Sequence, residues 1–311
     1  MIDSAKAQSF GDFEQIFIDD GSTDHSFEII RQAKEKDPSR VVVIKNERAS
    51  GGPAGPRNQG VRASGSKLIT FLDQDDLWEK EKLEKQFIEF SRDQKLMLCY
   101  SPLKILEQAT GRVLVENEQA VPAYLRKGTP RERLLKSFYI PILTTMVKKE
   151  ALLQAGLFDP RLLGTDDLDI WFRILKRGKI KKIEEPLATW RMQKGSISSR
   201  KGLTIKNHLK FYKNILAKHK LTTKEKSLAT KGLVRSWRML GFYYLEKGLL
   251  GKATRCFRKA HFFSKKNSAD GLLFFGAKYL PKLLMRTYNF RASLKNKIRA
   301  KQGLVNFTHE N

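Results

Sequence analysis

The chain has 311 residues, 41% of them hydrophobic, which is enough to bury the core of one large domain or two modest ones and excludes a disordered composition. Two cysteines, Cys99 and Cys256, are too few and too far apart for a disulfide framework or a zinc knuckle, so a reducing, cytoplasmic setting is expected. The net charge of +27 is uneven: residues 200–311 hold 27 Lys and Arg against four acids, whereas residues 1–199 hold 33 against 29.

That split predicts two regions with different jobs, residues 1–199 and residues 200–311. MIDSAKAQSF has no apolar signal core, and no uninterrupted apolar run approaches a membrane span. EQIFI (14–18) reads as a short buried strand ending at Asp19-Asp20-Gly21. A helix is expected from about Ser22 to Lys36, with Thr23 or Asp24 as cap and Phe27, Ile30 and Ala33 at helical spacing. VVVIK (41–45) is the next strand, and after a Gly- and Pro-rich loop a helix runs to about Ala63. KLITFLD (67–73) is a third strand, and helix 79–90 carries Leu83, Phe87 and Phe90 on one face. This alternation predicts an α/β fold with a mostly parallel sheet flanked by helices.

LMLCYSPLKIL and TTMVKK read as strands in the less regular stretch 96–149. A short helix near 150–155 precedes a capped helix at 165–178, and IKKIEE and PLATWRM are strand-like. After about residue 203 the pattern is helical. Residues 240–264 resemble one tetratricopeptide-like hairpin turning near Gly248 to Gly251, with no second copy at a matching period.

Three acidic clusters lie at element ends: Asp19-Asp20, Asp73/Asp75/Asp76, and Asp166-Asp167 with Asp169. Ligands of open parallel sheets bind outside the carboxyl ends of strands, so the first two clusters can share a crevice. Carboxylates at i and i+2 on a turn can reach one hard cation, and Mg²⁺ or Mn²⁺ takes one or two carboxylates plus substrate phosphates. The plain alternative is that these acids simply favour helix N-termini. Trp78 and Trp171 read as core or pocket-wall aromatics, and His25 as an exposed helix residue.

Four segments in order carry a family resemblance: EQIFIDDGSTDHSFEII, GGPAGPRNQGVRASGSKLITFLDQDD, TDDLDIWFRI and WRMQKGSIS. Together they resemble an inverting family 2 glycosyltransferase of the GT-A fold, over about residues 5–199. The resemblance implies a nucleotide-diphospho-sugar donor, a glycan or lipid-linked acceptor and a Mn²⁺ or Mg²⁺ cofactor, in cell-envelope polysaccharide or glycolipid synthesis. It puts Asp20 on the nucleotide base with Asp19 in support, and Arg57 and Asn58 near the nucleotide. Asp73 would lie toward the ribose and Asp75 on the metal, the two forming the DxD pair, with Asp76 a supporting ligand. Asp167 would be the general base, beside Asp166. The family's E-D pair thus reads Asp166-Asp167, and its Y-R-x-H histidine reads Gln193, a poor replacement for imidazole on a metal. The family's first strand and part of its first helix, about 25 residues, have no counterpart before AKAQSFGDFE. The runner-up reading is accordingly a truncated, catalytically inactive relative that binds membrane or a partner through its tail.

The tail mixes cations with aromatics, and YLPKLLMRTYNFRASLKNKIRAKQ fits an amphipathic helix. Such segments are drawn to anionic lipid headgroups, which implies peripheral docking on the inner face of the plasma membrane. The competing reading is a solvated basic helical bundle. Nucleic acid is the disfavoured partner, because no recognised motif supports it.

Overall fold

The computed structural model describes residues 1–108, 110–115, 127–136, 140–176, 178–192, 200–264 and 268–288. The chain divides into two units, one of residues 1–116 with 139–194 and the other of residues 117–138 with 195–311.

In the first unit, helix α1 (Ile2–Lys6) precedes β1 (Gln15–Asp19), whose buried positions alternate as expected for a strand with one packed face. Helix α2 (Ser26–Lys36) follows, starting later than the sequence predicts. Asp24 accepts a hydrogen bond from the Ser26 amide, so residues 22–25 form a turn before the helix, and His25 is exposed at its cap position. Strand β2 (Val41–Lys45) pairs in parallel with β1, and Phe17, Ala33 and Val41 pack between them and α2. Helix α3 (Ala54–Ala63) then leads to β3 (Leu68–Thr70). The ladder of β3 stops at Thr70, so the acidic stretch from Phe71 onward is loop rather than strand.

The rest of this unit comprises β4 (Leu77–Trp78), α4 (Lys82–Arg92), β5 (Leu96–Tyr100), β6 (Leu103–Glu107), β7 (Arg112–Val115), β8 (Met146–Lys148), α6 (Lys149–Gln154), α7 (Asp166–Ile174), β9 (Lys179–Lys182) and β10 (Ala188–Met192); α5 (Pro130–Lys136) belongs to the second unit. Besides the β1–β2 pair, the strands form two four-stranded sheets, ordered β3-β8-β5-β9 and β4-β10-β6-β7. The sheets are mixed. The β1–β2, β5–β9 and β6–β10 pairs are parallel, and β3–β8, β5–β8, β4–β10 and β6–β7 are antiparallel. The alternation of strands and helices up to Arg92 signals parallel pairing. The antiparallel pairs come mostly from the later strands, where spacing in sequence carries no such signal.

Helix α7 shows how the core carries charge. Leu168, Ile170, Trp171, Phe172 and Ile174 are all buried, and the Trp171 indole donates to the Ile140 carbonyl at 3.2 Å. Five such side chains contribute about 1.5–3 kcal/mol each on burial. Packing of this size offsets the desolvation of the carboxylates at the same helix start, which costs several kcal/mol per ion. Trp171 is thus a core residue, and Trp78, half-buried against the cluster of Leu83, Phe90 and Leu96, donates to the Leu143 carbonyl at 3.1 Å.

In the second unit α5 joins α8 (Lys201–Lys218), α9 (Thr223–Glu246), α10 (Leu250–Phe263) and α11 (Ser268–Tyr279), with residues 281–288 also helical. A capping box at Thr222 and Glu225 starts α9. Arg131 reaches Glu225 at 3.0 Å and the Tyr212 hydroxyl donates to the Leu135 carbonyl at 3.2 Å, which fastens α5 to α8 and α9. Helices α9 and α10 form the expected hairpin, with Gly248 at a φ of 70° in its turn. Glycine permits close approach of α9 to α8: a Cβ on Gly232 would lie 2.3 Å from the Tyr212 ring. Cys99 and Cys256 are buried free thiols.

Candidate active site

The first acidic cluster ends β1. Gly21, at a φ of 81°, makes the turn, and a Cβ there would meet the Ala49 nitrogen at 2.8 Å. Asp19 is buried. Its Oδ1 accepts from the Ser22 amide at 3.2 Å, and its Oδ2 is buried without a partner among the described residues. Asp20 accepts from the Asn46 side-chain amide at 2.8 Å and from the Ser50 amide and hydroxyl at 2.9 and 2.7 Å. Burial opposes its charge, but these donors prevail and hold its carboxyl below the usual range.

Helix α3 connects this cluster to the others. Gln59 and Asn46 exchange side-chain hydrogen bonds at 2.9 and 3.0 Å, which fixes the group that holds Asp20. Two residues earlier, Arg57 reaches in a different direction. Its Nη1 donates to Asp166 at 2.9 Å, and its Nη2 forks onto both oxygens of Asp73 at 2.9 and 3.0 Å. The guanidinium is nearly buried, 5.9 Å above the Phe158 ring, and its Nε has no acceptor among the described residues. Burial works against its charge, but Asp73, then Asp166 and Asp167, raise its pKa further. One cation therefore draws together carboxylates that lie 16 and 109 residues away in sequence. Asn58 commits both ends of its carboxamide to the Phe158 backbone at 2.9 Å, which makes it a clamp for that loop rather than a free group.

The Asp73–Asp76 turn is divided. Asp73 faces Arg57 and is 42% exposed. Asp76 is buried, accepts from the Arg191 amide at 3.1 Å, and is pushed up to about 8 by burial and then by the charges of Asp73 and Asp75. Asp75 is half-buried, and no other residue donates to its side chain among the described hydrogen bonds. Burial, and more weakly Asp73, raise its pKa. The side chain of Arg191 holds the turn from beneath, through the carbonyls of Asp75 and, at 3.5 Å, Gln74. Sequence reasoning missed Arg191, although it sits two residues before Gln193 in the quoted WRMQ segment. Gln193 itself lies outside the described residues.

At the start of α7 the three acids separate by role. Asp169 is buried and paired with Arg173 at 2.6 Å, and Arg173 also binds the carbonyls of Ala155 and Leu157. Asp166 is buried against Arg57, and desolvation raises its pKa despite that partner. Asp167 is half-buried, with Oδ1 on the Leu168 amide at 2.8 Å, and is pushed up to about 7 by burial and by the neighbouring Asp166 charge. A carboxylate with a pKa near neutrality can accept a proton from a hydroxyl and release it again.

Among the described residues no group of three or more His, Cys, Asp and Glu side chains converges as a metal cage. A hard divalent cation held by one or two carboxylates and a diphosphate needs no such cage. An undonated Asp75 beside two other acids fits it as an oxygen ligand.

The glycosyl transferase family 2 model matches residues 1–154. The protein bearing the name teichuronic acid biosynthesis glycosyltransferase TuaG, from Bacillus subtilis (strain 168), is 31% identical over 219 residues, which cover 70% of this chain and 82% of that one. The Escherichia coli UDP-Glc:alpha-D-GlcNAc-diphosphoundecaprenol beta-1,3-glucosyltransferase WfaP is 27% identical over 201 residues, 64% of this chain and 74% of that one. Among solved structures, S. aureus TarS in complex with UDP-GlcNAc superposes with a TM-score of 0.65 at 18% identity, covering 94% of this chain and 87% of that one. The fold is thus GT-A with a helical C-terminal region, and the chain belongs to glycosyl transferase family 2 as a glycosyltransferase.

Proposed function

We propose that the protein moves a sugar from a nucleotide-diphospho-sugar to an acceptor hydroxyl with inversion at the anomeric carbon, in the synthesis of a cell-envelope polysaccharide or glycolipid. The observation that carries this reading is Arg57, which gathers the Asp73 turn and the Asp166–Asp167 helix start into one place. Asp20, pre-held by Asn46 and Ser50, is the donor-side anchor for the nucleotide base. Asp167 accepts the proton of the acceptor hydroxyl. The acceptor oxygen forms a bond to the anomeric carbon as the bond from that carbon to the diphosphate oxygen breaks on the opposite face. Asp166 and Arg57 keep Asp167 at the start of its helix, and Arg191 keeps the acidic turn in shape. Mn²⁺ or Mg²⁺, held by Asp75 with Asp73 alongside, would neutralise the diphosphate. The likeness to WfaP and TuaG supports an envelope glycan or lipid-linked acceptor.

Isothermal titration with UDP and Mn²⁺ tests the donor side. Metal-dependent UDP binding that is lost in Asp75→Ala is expected, and equal binding by that variant overturns the role of Asp75.

The second part of the reading places the enzyme on the inner face of the plasma membrane through its basic helical region. No helix among the described residues is long and apolar enough to cross a membrane, so the association would be peripheral.

A further inference from the structure

Helix α11 is apolar on two faces. Leu273, Phe274 and Ala277 pack inward onto Leu245 and Phe257, where Leu284 and Met285 of the following helix also join. That accounts for one face only. Leu272, Phe275 and Tyr279, at i, i+3 and i+7, point away from this cluster and are 73%, 57% and 61% exposed. Leu280 and Leu283 continue the stripe onto residues 281–288, at 58% and 56% exposure. Phe275 and Tyr279 stack with ring centroids 6.2 Å apart. A surface of this kind, contiguous along two helices, marks an interaction site rather than scattered apolar residues.

The charge around the stripe selects the partner. Lys278, Lys282 and Arg286 are exposed beside it, and the Lys278 ammonium lies 4.7 Å from the Tyr279 ring centroid. Between Lys247 and Tyr288 the chain holds ten Lys and Arg and a single acid, Asp270. That acid is buried and paired with Arg238 at 2.6 Å, so it does not offset the field. Exposed leucine, phenylalanine and tyrosine flanked by lysine and arginine are the composition of a helix lying at a bilayer interface. Its length gives the orientation. The twelve residues of α11 extend about 18 Å, short of the roughly 30 Å hydrocarbon core. The helix can lie in the interface but cannot span it.

We infer that the Leu272–Phe275–Tyr279–Leu280–Leu283 stripe is the surface by which this protein enters an anionic lipid bilayer, with Lys278, Lys282 and Arg286 on the headgroups. This rests on the membrane reading above and narrows it to one face. It overlaps the amphipathic segment expected from the sequence, residues 279–302, at Tyr279, Leu280 and Leu283, and extends it toward the N-terminus to Phe275 and Leu272.

Flotation with vesicles of 30% phosphatidylglycerol in phosphatidylcholine at physiological salt, compared with pure phosphatidylcholine, is the test. The full chain is expected to float with the anionic vesicles. Phe275→Asp/Leu283→Asp is expected to lower partitioning at least tenfold. A second variant, Phe275→Trp, keeps the stripe apolar, and its added tryptophan should be quenched by brominated lipid where the wild-type emission changes less. This arm decides the question even where the aspartate variant does not fold. If the wild type fails to float, the membrane reading itself falls. If it floats and the folded aspartate variant floats equally, membrane docking stands and this face is not the one. Loss of self-association in that variant with flotation unchanged would assign the stripe to a second copy of the chain and overturn the proposal. A floating Phe275→Trp variant whose emission is quenched no more than the wild type's overturns it as well.

Discussion

Replacing Arg57 with alanine is the sharpest perturbation of the site. The guanidinium is 11% exposed and holds two carboxylates of unequal burial. Asp73 is 42% exposed and can turn to water, so losing that pair costs about 0–1 kcal/mol. Asp166 is 1% exposed and cannot. Removing one partner of a buried pair leaves an uncompensated charge and costs about 3–5 kcal/mol, so the Asp166 side decides the magnitude. Urea denaturation of wild type and Arg57→Ala at pH 7.5 should differ by that amount, a large share of the roughly 5–15 kcal/mol of a typical domain. The loss should depend on pH. Asp166 already has a folded pKa above its unfolded value, and without Arg57 it rises further. The folded state then binds more protons than the unfolded state, so the variant gains stability as pH falls toward the ordinary carboxylate range and loses it as pH rises. Arg57→Met/Asp166→Asn should recover more than half the loss, because neither charge remains. A cost below about 1 kcal/mol at pH 7.5, or a penalty that grows on acidification, would refute the clamp.

Asp167→Asn should keep metal-dependent UDP binding but lower transfer at least ~100-fold, the scale of a general base, and normal turnover would remove Asp167 from that role. In the wild type, kcat/KM should fall tenfold per pH unit below about 7, because the Asp167 carboxylate pushed up to about 7 must be deprotonated to act. A flat profile between pH 5 and 7 would contradict this. Gly232→Ala gains about 1 kcal/mol of helix propensity but drives a methyl to within 2.3 Å of the buried Tyr212 ring. Overpacking of about 1–3 kcal/mol should exceed that gain, and thermal denaturation of the helical region should show net destabilisation.

Much of the first unit was legible in the chain. Strand β2 lies where VVVIK predicts it, and β1, α4 and α6 fall within a few residues, because period-2 and period-3.6 apolar patterns report burial directly. Helix α7 stops at Ile174, short of the stop at Gly178 that the sequence predicts. The 165–178 apolar spacing does not reveal where tertiary packing releases the backbone. The site was legible as three acidic clusters, since carboxylates are expensive to bury and their crowding asks for an explanation. Their division of labour was not. Asp169 and Asp167 look alike in sequence, yet one is sealed by Arg173 four residues on and the other is not.

By itself, then, the sequence determined the family, the order of the elements and the acid types at the strand and helix ends. These follow from local patterns and from residue chemistry at fixed spacing. Tertiary structure alone decided which distant groups Arg57 and Arg191 hold. Arg57 meets Asp166 across 109 residues, and Arg191 meets the Asp75 carbonyl across 116. Those separations have no period and leave no mark in the chain. Only folding brings a cation within 3 Å of one acid and leaves the next undonated, and a carboxylate's pKa follows from that placement rather than from its neighbours in sequence.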